Sequence, residues 1–323
     1  MRFVYVMDPM DRVLPDKDTT FAFQRAAQSR GHESLHCELR DLYVKNGDLF
    51  ARVRKLTVSD TAPHAVFGAS EDVRVADVEA VFIRKDPPFD TPYLYATLLL
   101  ERVRGRTIIM NDPRGLRDAN EKLYALNFAQ YMTRTIVTSS EEQIFAFVKE
   151  VGGIGVIKPL DLAGGSGVMM LSPEDKNARA IVQLVTTDGT RLAMVQEFLP
   201  AVTKGDKRIL LLDGEVLGAI NRIPRSDDFR SNIHVGGSVE PYEVTKPERA
   251  MIADMAPRLK QDGLVFVGLD VIGGKLTEVN VTSPTGIQQL SQHQNRDAAA
   301  DVIQWVERRA DDFRPTLKSI PAT

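Results

Sequence analysis

The sequence predicts a mixed α/β chain built from two or three domains. Three observations carry that prediction. Strand-like and helix-like segments alternate along the first 120 residues, the pattern of α/β architecture. At 323 residues the chain can bury more than one core. Its hydrophobic share of 43% and charged share of 26% place it with ordinary globular proteins, not with disordered or membrane chains.

Charge and cysteine content exclude further classes. A formal net charge of −3 with no basic block argues against a nucleic-acid footprint. Cys37 is the single cysteine, which excludes an intramolecular disulfide and a cysteine-based zinc cluster and suits a reducing compartment. The opening apolar run ends at Asp8, too short for a signal-peptide core, and no later stretch approaches a membrane span. The expectation is a cytoplasmic protein.

Taken in order, "RFVYVMDP" is a first strand. "DTTFAFQRAAQSRG" (18–31) is a helix with Asp18 as N-cap and Gly31 as its stop. "ESLHCEL" (33–39) is a strand, and "FARVRKLTV" (50–58) alternates as one. "AVFIRKDPPFD" (80–90) is a buried strand running into a charged, Pro-rich loop. A helix over 92–105 and the strand "TIIMN" complete a first domain, 1–120. From "NEKLYALNFAQ" (120–130) the texture changes. A helix at 141–150 precedes two glycine-punctuated strands, 152–160 and 167–171, with "DLAGGSG" (161–167) between them. A helix at 174–187 and a strand at 192–200 close a second unit, 121–200. The third, 201–323, begins with the hairpin "KRILLLDGEVLGAI", whose Asp213-Gly214 is a strong turn signal. Residues 222–241 are polar and glycine-rich, and loops that long are usually lids or disordered segments. A helix at 246–262, a strand pair within 263–286 and a helix near 296–311 follow.

The strand pair carries the first chemical signal. "GLVFVGLDVIGG" (263–274) is almost wholly apolar yet holds Asp270, and "KLTEVNVTSPTG" (275–286) sets Glu278 and Asn280 between good strand residues. A two-residue turn at Gly273-Gly274 would put Asp270 opposite Thr277 and send Glu278 and Asn280 to the other face. A three-residue turn or a bulge puts Asp270 opposite Glu278 and Gly268 opposite Asn280. The longer turn or bulge is expected, because isolated carboxylates are seldom buried without a partner. Two carboxylates and an amide oxygen are hard ligands suited to Mg²⁺ or Mn²⁺. Gly268 leaves space beside them for a phosphate. The bland alternative is a solvated face with three unrelated polar residues.

The second signal is "VIKPLDLAGGSGV", where a glycine-rich loop exposes backbone N–H groups to phosphate oxygens and Lys158 adds a point charge. It matches neither the P-loop nor the Rossmann fingerprint, and an ordinary hairpin is the competing reading. Arg84 and Lys85, then Lys204, Lys207 and Arg208, then Arg222, Arg225 and Arg230 form a basic set suited to carboxylates and phosphoryl oxygens, or simply to solvent. The histidines show no ligand spacing; His234 lies in the polar loop. Cys37 and Trp305 read as packing residues.

The stretches "VMDPMDRVLPDKDTTFAFQRAAQSRGHE", "DLYVKNG", "FIRKDPPFDTPYLYATLLLE", "NDPRGLRDANEKLYAL", "IKPLDLAGGSG", "GDKRILLLDGE" and "FVGLDVIGGKLTEVNVTSPTG" carry a resemblance. In this order the chain resembles the bacterial glutathione synthetases of the ATP-grasp superfamily, along nearly its full length. The resemblance implies an ATP-grasp fold with an N-terminal Rossmann-like domain, a small central lid subdomain and a C-terminal catalytic subdomain. It implies that γ-glutamylcysteine and ATP form an acyl phosphate, which glycine then attacks.

Lys122 and Lys158 would contact ATP phosphates, covered by Gly164, Gly165, Ser166 and Gly167. Gln196, Glu197, Phe198 and Leu199 would meet adenine, and Asp206 the ribose. Asp270, Glu278 and Asn280 would hold Mg²⁺ or Mn²⁺. Arg208, Arg222 and Asn232 would face the reacting phosphoryl group and the acceptor, with Ser283 and Thr285 at the acceptor end. Asp8, Thr20, Arg84, Lys85 and Asp86 would line the dipeptide site, and the loops at 161–167 and 224–240 would close over the whole. The resemblance also implies a homotetramer. No residue stands out as the base that deprotonates the amine.

Three departures from the family pattern bear on the acceptor. Ser238-Val239 replaces Arg-Gly in the lid, Leu162 replaces a glycine after the lysine strand, and Gln288-Gln289 stands where a glutamate is frequent. They leave open a related ATP-grasp peptide ligase with another amine acceptor. A nucleotide-binding protein without ligase activity is the remaining alternative, against which the complete Asp270, Glu278 and Asn280 set argues.

Overall fold

In the computed structural model, which describes residues 1–225 and 237–317, the strands form three sheets. The first half supplies β1 (Arg2–Val6), α1 (Thr19–Ser29), β2 (Glu33–Cys37), β3 (Leu42–Lys45), β4 (Asp48–Val58), β5 (Ala65–Arg74), β6 (Ala80–Ile83), α2 (Thr91–Leu100), β7 (Ile108–Met110) and α3 (Pro113–Asp118). Their strands make one seven-stranded sheet, ordered β3-β4-β2-β1-β6-β7 with β5 on β4. β2, β1, β6 and β7 run parallel, and the near-continuous apolar runs of β1 and β6 are buried at its centre. Asp18 caps α1 by accepting from the Phe21 N–H at 2.6 Å, and Gly31 follows the helix at φ +78°, as expected. Strand β5 escapes the sequence reading because it is a largely exposed edge with no clean alternation. The helix expected at 92–105 stops at Leu100 and gives way to a 3₁₀ turn, Glu101–Val103.

After a 3₁₀ stretch, Tyr124–Tyr131, come β8 (Thr135–Thr138), α4 (Glu141–Glu150), β9 (Gly155–Pro159), β10 (Met169–Leu171), α5 (Ala178–Thr186) and β11 (Ala193–Glu197). Their strands form an antiparallel sheet, β10-β9-β11-β8. Ile144, Val148, Ile157, Leu171, Val182 and Val195 give it a core of its own.

The third sheet is β14-β13-β12-β15-β16, built from β12 (Asp206–Leu212), β13 (Glu215–Ile223), β14 (Ser238–Tyr242), β15 (Phe266–Ile272) and β16 (Lys275–Asn280). Helices α6 (Lys246–Gln261), α7 (Ile287–Gln294) and α8 (Ala298–Leu317) accompany it. Asp213 and Gly214 both take positive φ, 51° and 76°, in the turn their sequence announces. Both ends of the expected loop over 222–241 are strand, because β13 reaches Ile223 and β14 begins at Ser238; residues 226–236 lie outside the described ones. Asn232, Arg230 and His234 lie outside the described residues.

The third sheet puts Ile209, Leu211, Val267, Leu269 and Val279 into one core with Met251, Met255 and Leu259 of α6. That core continues into the first sheet through Val4, Val6 and Val81. On the other face Leu210, Ile220 and Phe266 pack with α7, α8 and Phe23 of α1. Asn111, just past β7, fixes the junction: it donates to the Phe266 and Val281 carbonyls and accepts from the Val265 and Phe266 N–H groups, all at 2.7–2.8 Å.

Candidate active site

Strands β15 and β16 pair Gly268 with Asn280 and Asp270 with Glu278. The turn is nonetheless two residues long, since Ile272 pairs with Lys275. A bulge between Asp270 and Val271 takes up the extra residue, Thr277, whose Oγ1 donates to the Asp270 carbonyl at 3.1 Å. All three polar residues therefore share one face, by the bulge rather than the longer turn. Gly268 does not open a phosphate space. A Cβ there would lie 2.9 Å from Pro284 Cβ and 3.1 Å from Arg208 Cδ, so the room is already filled.

The same face continues onto β12 and β13. Arg208 is the cross-strand partner of Asp270, and its Nε and Nη2 reach the two carboxylate oxygens at 2.7 and 3.2 Å. Arg222 is the partner of Asp206 and donates to its Oδ2 at 2.5 Å, with Asp270 Oδ2 at 3.1 Å from the same nitrogen. Burial pushes the Asp270 carboxyl up, but the two guanidinium groups outweigh it and hold the group well below the usual carboxylate range. Lys122 Nζ sits 3.1 Å from Glu278 Oε1 and donates to the Leu162 carbonyl at 2.5 Å. Lys158 donates to Gln196 Oε1 at 2.6 Å, and burial pushes its ammonium below the ordinary lysine value.

Two clefts meet at this face. The first, about 800 Å³, lies between the second and third sheets. Lys122, Lys158, Gly164, Gly165 and Gln196 to Leu199 line it, with Asp206, Asp270 and Glu278 as its far wall. The second, about 1160 Å³, opens toward the first sheet and is lined by Arg208, Arg222, Asn280, Ser283, Thr285 and Asp86, among others. Gly164 and Glu278 border both. The ion pairs thus form the partition: Asp206 and Asp270 face the first cleft, Arg222 and Arg208 the second.

Other expected site residues fall around the second cleft rather than in it. Arg84 is buried behind its wall, donating to Thr20 Oγ1 at 3.1 Å and to the Pro284 carbonyl at 3.0 Å, with Phe23 and Phe266 rings beneath the guanidinium. Asp8 accepts from the Asp86 N–H at 3.0 Å and pairs with Lys85 at 3.2 Å. Ser166 and Gly167 sit in the turn of the glycine-rich loop, outside the lining of either cleft. Gly167 needs its φ of +69°, and a Cβ there would lie 2.8 Å from Pro159. Gln288 is buried and ties the 15–18 segment by donating to the Pro15 and Asp18 carbonyls at 2.7 Å, while Gln289 lines the second cleft.

Three charged residues of the second cleft were not foreseen, Arg12, Lys17 and Glu121. Glu121 borders the second cleft, and its Oε1 accepts from Val281 N, Thr282 N and Thr282 Oγ1 at 2.9, 3.0 and 2.7 Å. Burial and the Glu278 charge push its carboxyl up, opposed by those bonds. Nothing local marks a glutamate beside Lys122, because its partners lie some 160 residues away.

The donor set fits a hard divalent cation. It offers oxygens only, and Asn280 spends its amide nitrogen on the Gly268 carbonyl, leaving its own oxygen for a ligand. Among the described residues no trio of His, Cys, Asp or Glu gathers to hold a metal unaided; this set reaches three through the amide. Charge points the same way. Asp206, Asp270 and Glu278 already hold Arg222, Arg208 and Lys122 in ion pairs, so a polyanion bound here needs added cations.

Comparison with known proteins fits this geometry. Residues 1–117 match the family model for the N-terminal domain of prokaryotic glutathione synthetase, and residues 121–295 match its ATP-grasp domain. The chain is 41% identical over 320 residues to a glutathione synthetase of Synechocystis, covering 96% of this chain and 100% of that one. It is 44% identical over 301 residues to one from Synechococcus elongatus, covering 90% and 93%, and 42% identical over 288 residues to one from Salmonella typhimurium, covering 88% and 91%. Among solved structures, a D-cycloserine synthetase superposes with a TM-score of 0.65 at 16% identity, covering 97% of this chain and 100% of that one. A RimK-domain ATP-grasp protein from Sphaerobacter thermophilus superposes at 0.62 with 20% identity, covering 94% and 98%; both show the fold alone. The chain belongs to the prokaryotic glutathione synthetase family and is an ATP-dependent ligase of the ATP-grasp fold that forms glutathione.

Proposed function

We propose that this chain joins γ-glutamylcysteine to glycine through an acyl phosphate, with ATP in the first cleft and the dipeptide and amine in the second. The observation that carries the route is the partition itself. A carboxylate attacking a γ-phosphate brings two anions together, and Arg208 and Arg222 lie on the substrate side of their carboxylates, where they can turn to phosphoryl oxygens. Lys122 and Lys158 take the triphosphate from the nucleotide side, beneath Gly164 and Gly165, with Ser166 and Gly167 completing the turn of that loop. The 196–199 strand end meets adenine, and Asp206 is the ribose contact.

Asp270, Glu278 and Asn280 would hold Mg²⁺ or Mn²⁺, which supplies charge neutralisation to the phosphates. Asp8, Lys85 and Asp86 form the dipeptide end, and Thr20 and Arg84 support it from behind. Ser283 and Thr285 border the acceptor, and Asn232 joins them by resemblance. The acyl phosphate must be kept from water, a role that falls to the glycine-rich loop beside both clefts. Family resemblance adds a homotetramer and a cytoplasmic setting; light scattering tests the first. The units 1–120, 121–200 and 201–323 are the proposed domains.

The test is ADP release by purified protein with Mg²⁺, ATP and γ-glutamylcysteine, with and without glycine, and the product identified by mass. Glycine-dependent ADP with a glutathione mass is expected. ADP release indifferent to glycine would overturn the acceptor.

A further inference from the structure

The tripeptide Asn120-Glu121-Lys122 spans the junction of the two clefts. Asn120 donates to the Leu160 carbonyl at 2.9 Å, at the start of the glycine-rich loop, and Lys122 reaches Leu162 and Glu278. Between them, Glu121 turns to the segment that follows β16. Its backbone carbonyl accepts from Val279 N at 3.0 Å, and the side chain binds the 281–282 turn that leads into Ser283 and Thr285.

Two details set Glu121 apart. All three of its side-chain hydrogen bonds fall on Oε1, and none among the described residues uses Oε2. Asp206, Asp270 and Glu278 each hold a cation within salt-bridge distance, whereas Glu121 has no such partner among the described residues. A carboxylate with its orientation fixed and no cation within salt-bridge distance, at the edge of a substrate cleft, is complementary to a cationic ligand group. The same cleft carries Arg12 and Lys17, which have no carboxylate partner among the described residues either. A zwitterion with an ammonium at one end and a carboxylate at the other matches that arrangement.

We infer that Glu121 is the specificity-determining residue that receives the ammonium of the amine acceptor in the second cleft. This rests on the ligase reading above and adds to it the group that selects an amino acid over an uncharged amine. Asp18 and Asp86 border the same cleft, but Asp18 spends its carboxylate on the α1 cap and Asp86 lies on the exposed rim.

Glu121→Gln tests the inference, because its carbonyl oxygen can still accept all three bonds while the charge is gone. The readout is ADP release driven by glycine compared with that driven by hydroxylamine, which is uncharged at mildly alkaline pH and needs no ammonium site. The expected result is a glycine KM raised about tenfold or more, the scale of one charge-assisted hydrogen bond, with the glycine-to-hydroxylamine ratio falling to match. A glycine KM within about twofold of wild type overturns the inference. So does a parallel loss with both amines and a raised ATP KM, which would mark a purely structural bracket, or the same selective loss in Asp86→Asn but not in E121Q.

Should E121Q not fold, Glu121→Asp carries the same readout, its charge kept but drawn back by one methylene. An unchanged ratio there counts against the inference. A wild type that uses hydroxylamine but never glycine would strike at the assigned reaction instead, and the ratio is then read with the amine it does accept.

Discussion

Arg208 grips Asp270 through two hydrogen bonds, 2.7 and 3.2 Å long, and the two residues are direct cross-strand partners of β12 and β15. The pair is buried, and Arg222 leans on the same carboxylate. Removing the acid strands the Arg208 guanidinium and leaves Arg222 with Asp206 alone. Asp270→Asn is expected to cost about 3–5 kcal/mol of stability, besides abolishing turnover. The sign with pH follows from a folded-state pKa below the unfolded one. The contribution is present above the unfolded carboxylate value and disappears as pH falls through the folded one. Urea midpoints for the two proteins should therefore differ by a constant amount across neutral pH and converge only in acid.

Lys158 works in the opposite direction. Its ammonium is pushed down by burial, so the unfolded chain binds that proton more readily than the folded one. The resulting penalty is present below the folded pKa and fades as pH rises toward the ordinary lysine value. Lys158→Met is expected to keep or raise the melting temperature at pH 7, with the advantage shrinking in alkali, while ADP release falls about 100-fold or more through lost phosphate contact. Melting curves at several pH values, with turnover beside them, check both halves. A variant that melts well below wild type at pH 7 refutes the account.

Gly268 is held by packing. A methyl group there meets Pro284 and Arg208, so Gly268→Ala is expected to cost about 1–3 kcal/mol, the range for overpacking. Because Arg208 is one of the two groups displaced, kcat is expected to drop more than the KM for ATP rises. Steady-state kinetics alongside a denaturation curve separates the two effects.

Asn111 satisfies four backbone groups where the first and third sheets join. Asn111→Ala leaves them unpaired and is expected to cost about 3 kcal/mol or more. Glycine and ATP constants in the surviving folded fraction should be unchanged, since Asn111 borders neither cleft.

How much of this was legible in the sequence depends on the range of each signal. The shared face of Asp270, Glu278 and Asn280 could be read because strand parity is local and a buried carboxylate must find company. Whether a long turn or a bulge achieves it could not be, since both restore the same parity. Gly268 was misread because a missing Cβ announces a close approach without naming what approaches. Arg84, Glu121 and Gln288 make their decisive contacts with segments 160 to 273 residues away, and no periodicity reports such distances. The glycine-rich loop and Asp213-Gly214 were legible because positive φ writes itself into the residue type.

The four-stranded sheet keeps a hydrophobic core of its own on the face covered by α4 and α5, and reaches the core of the other two sheets only through Met194 and Val137. Calorimetrically, that makes it a separate cooperative unit. Slow heating of the nucleotide-free protein should give two heat-absorption peaks, the smaller from the stretch between β8 and β11. Bound as proposed, between that sheet and its neighbour, ATP would add its binding energy to both units at once. The peaks should draw together as nucleotide is added, and the molecule that melts in two pieces when empty would melt as one when loaded.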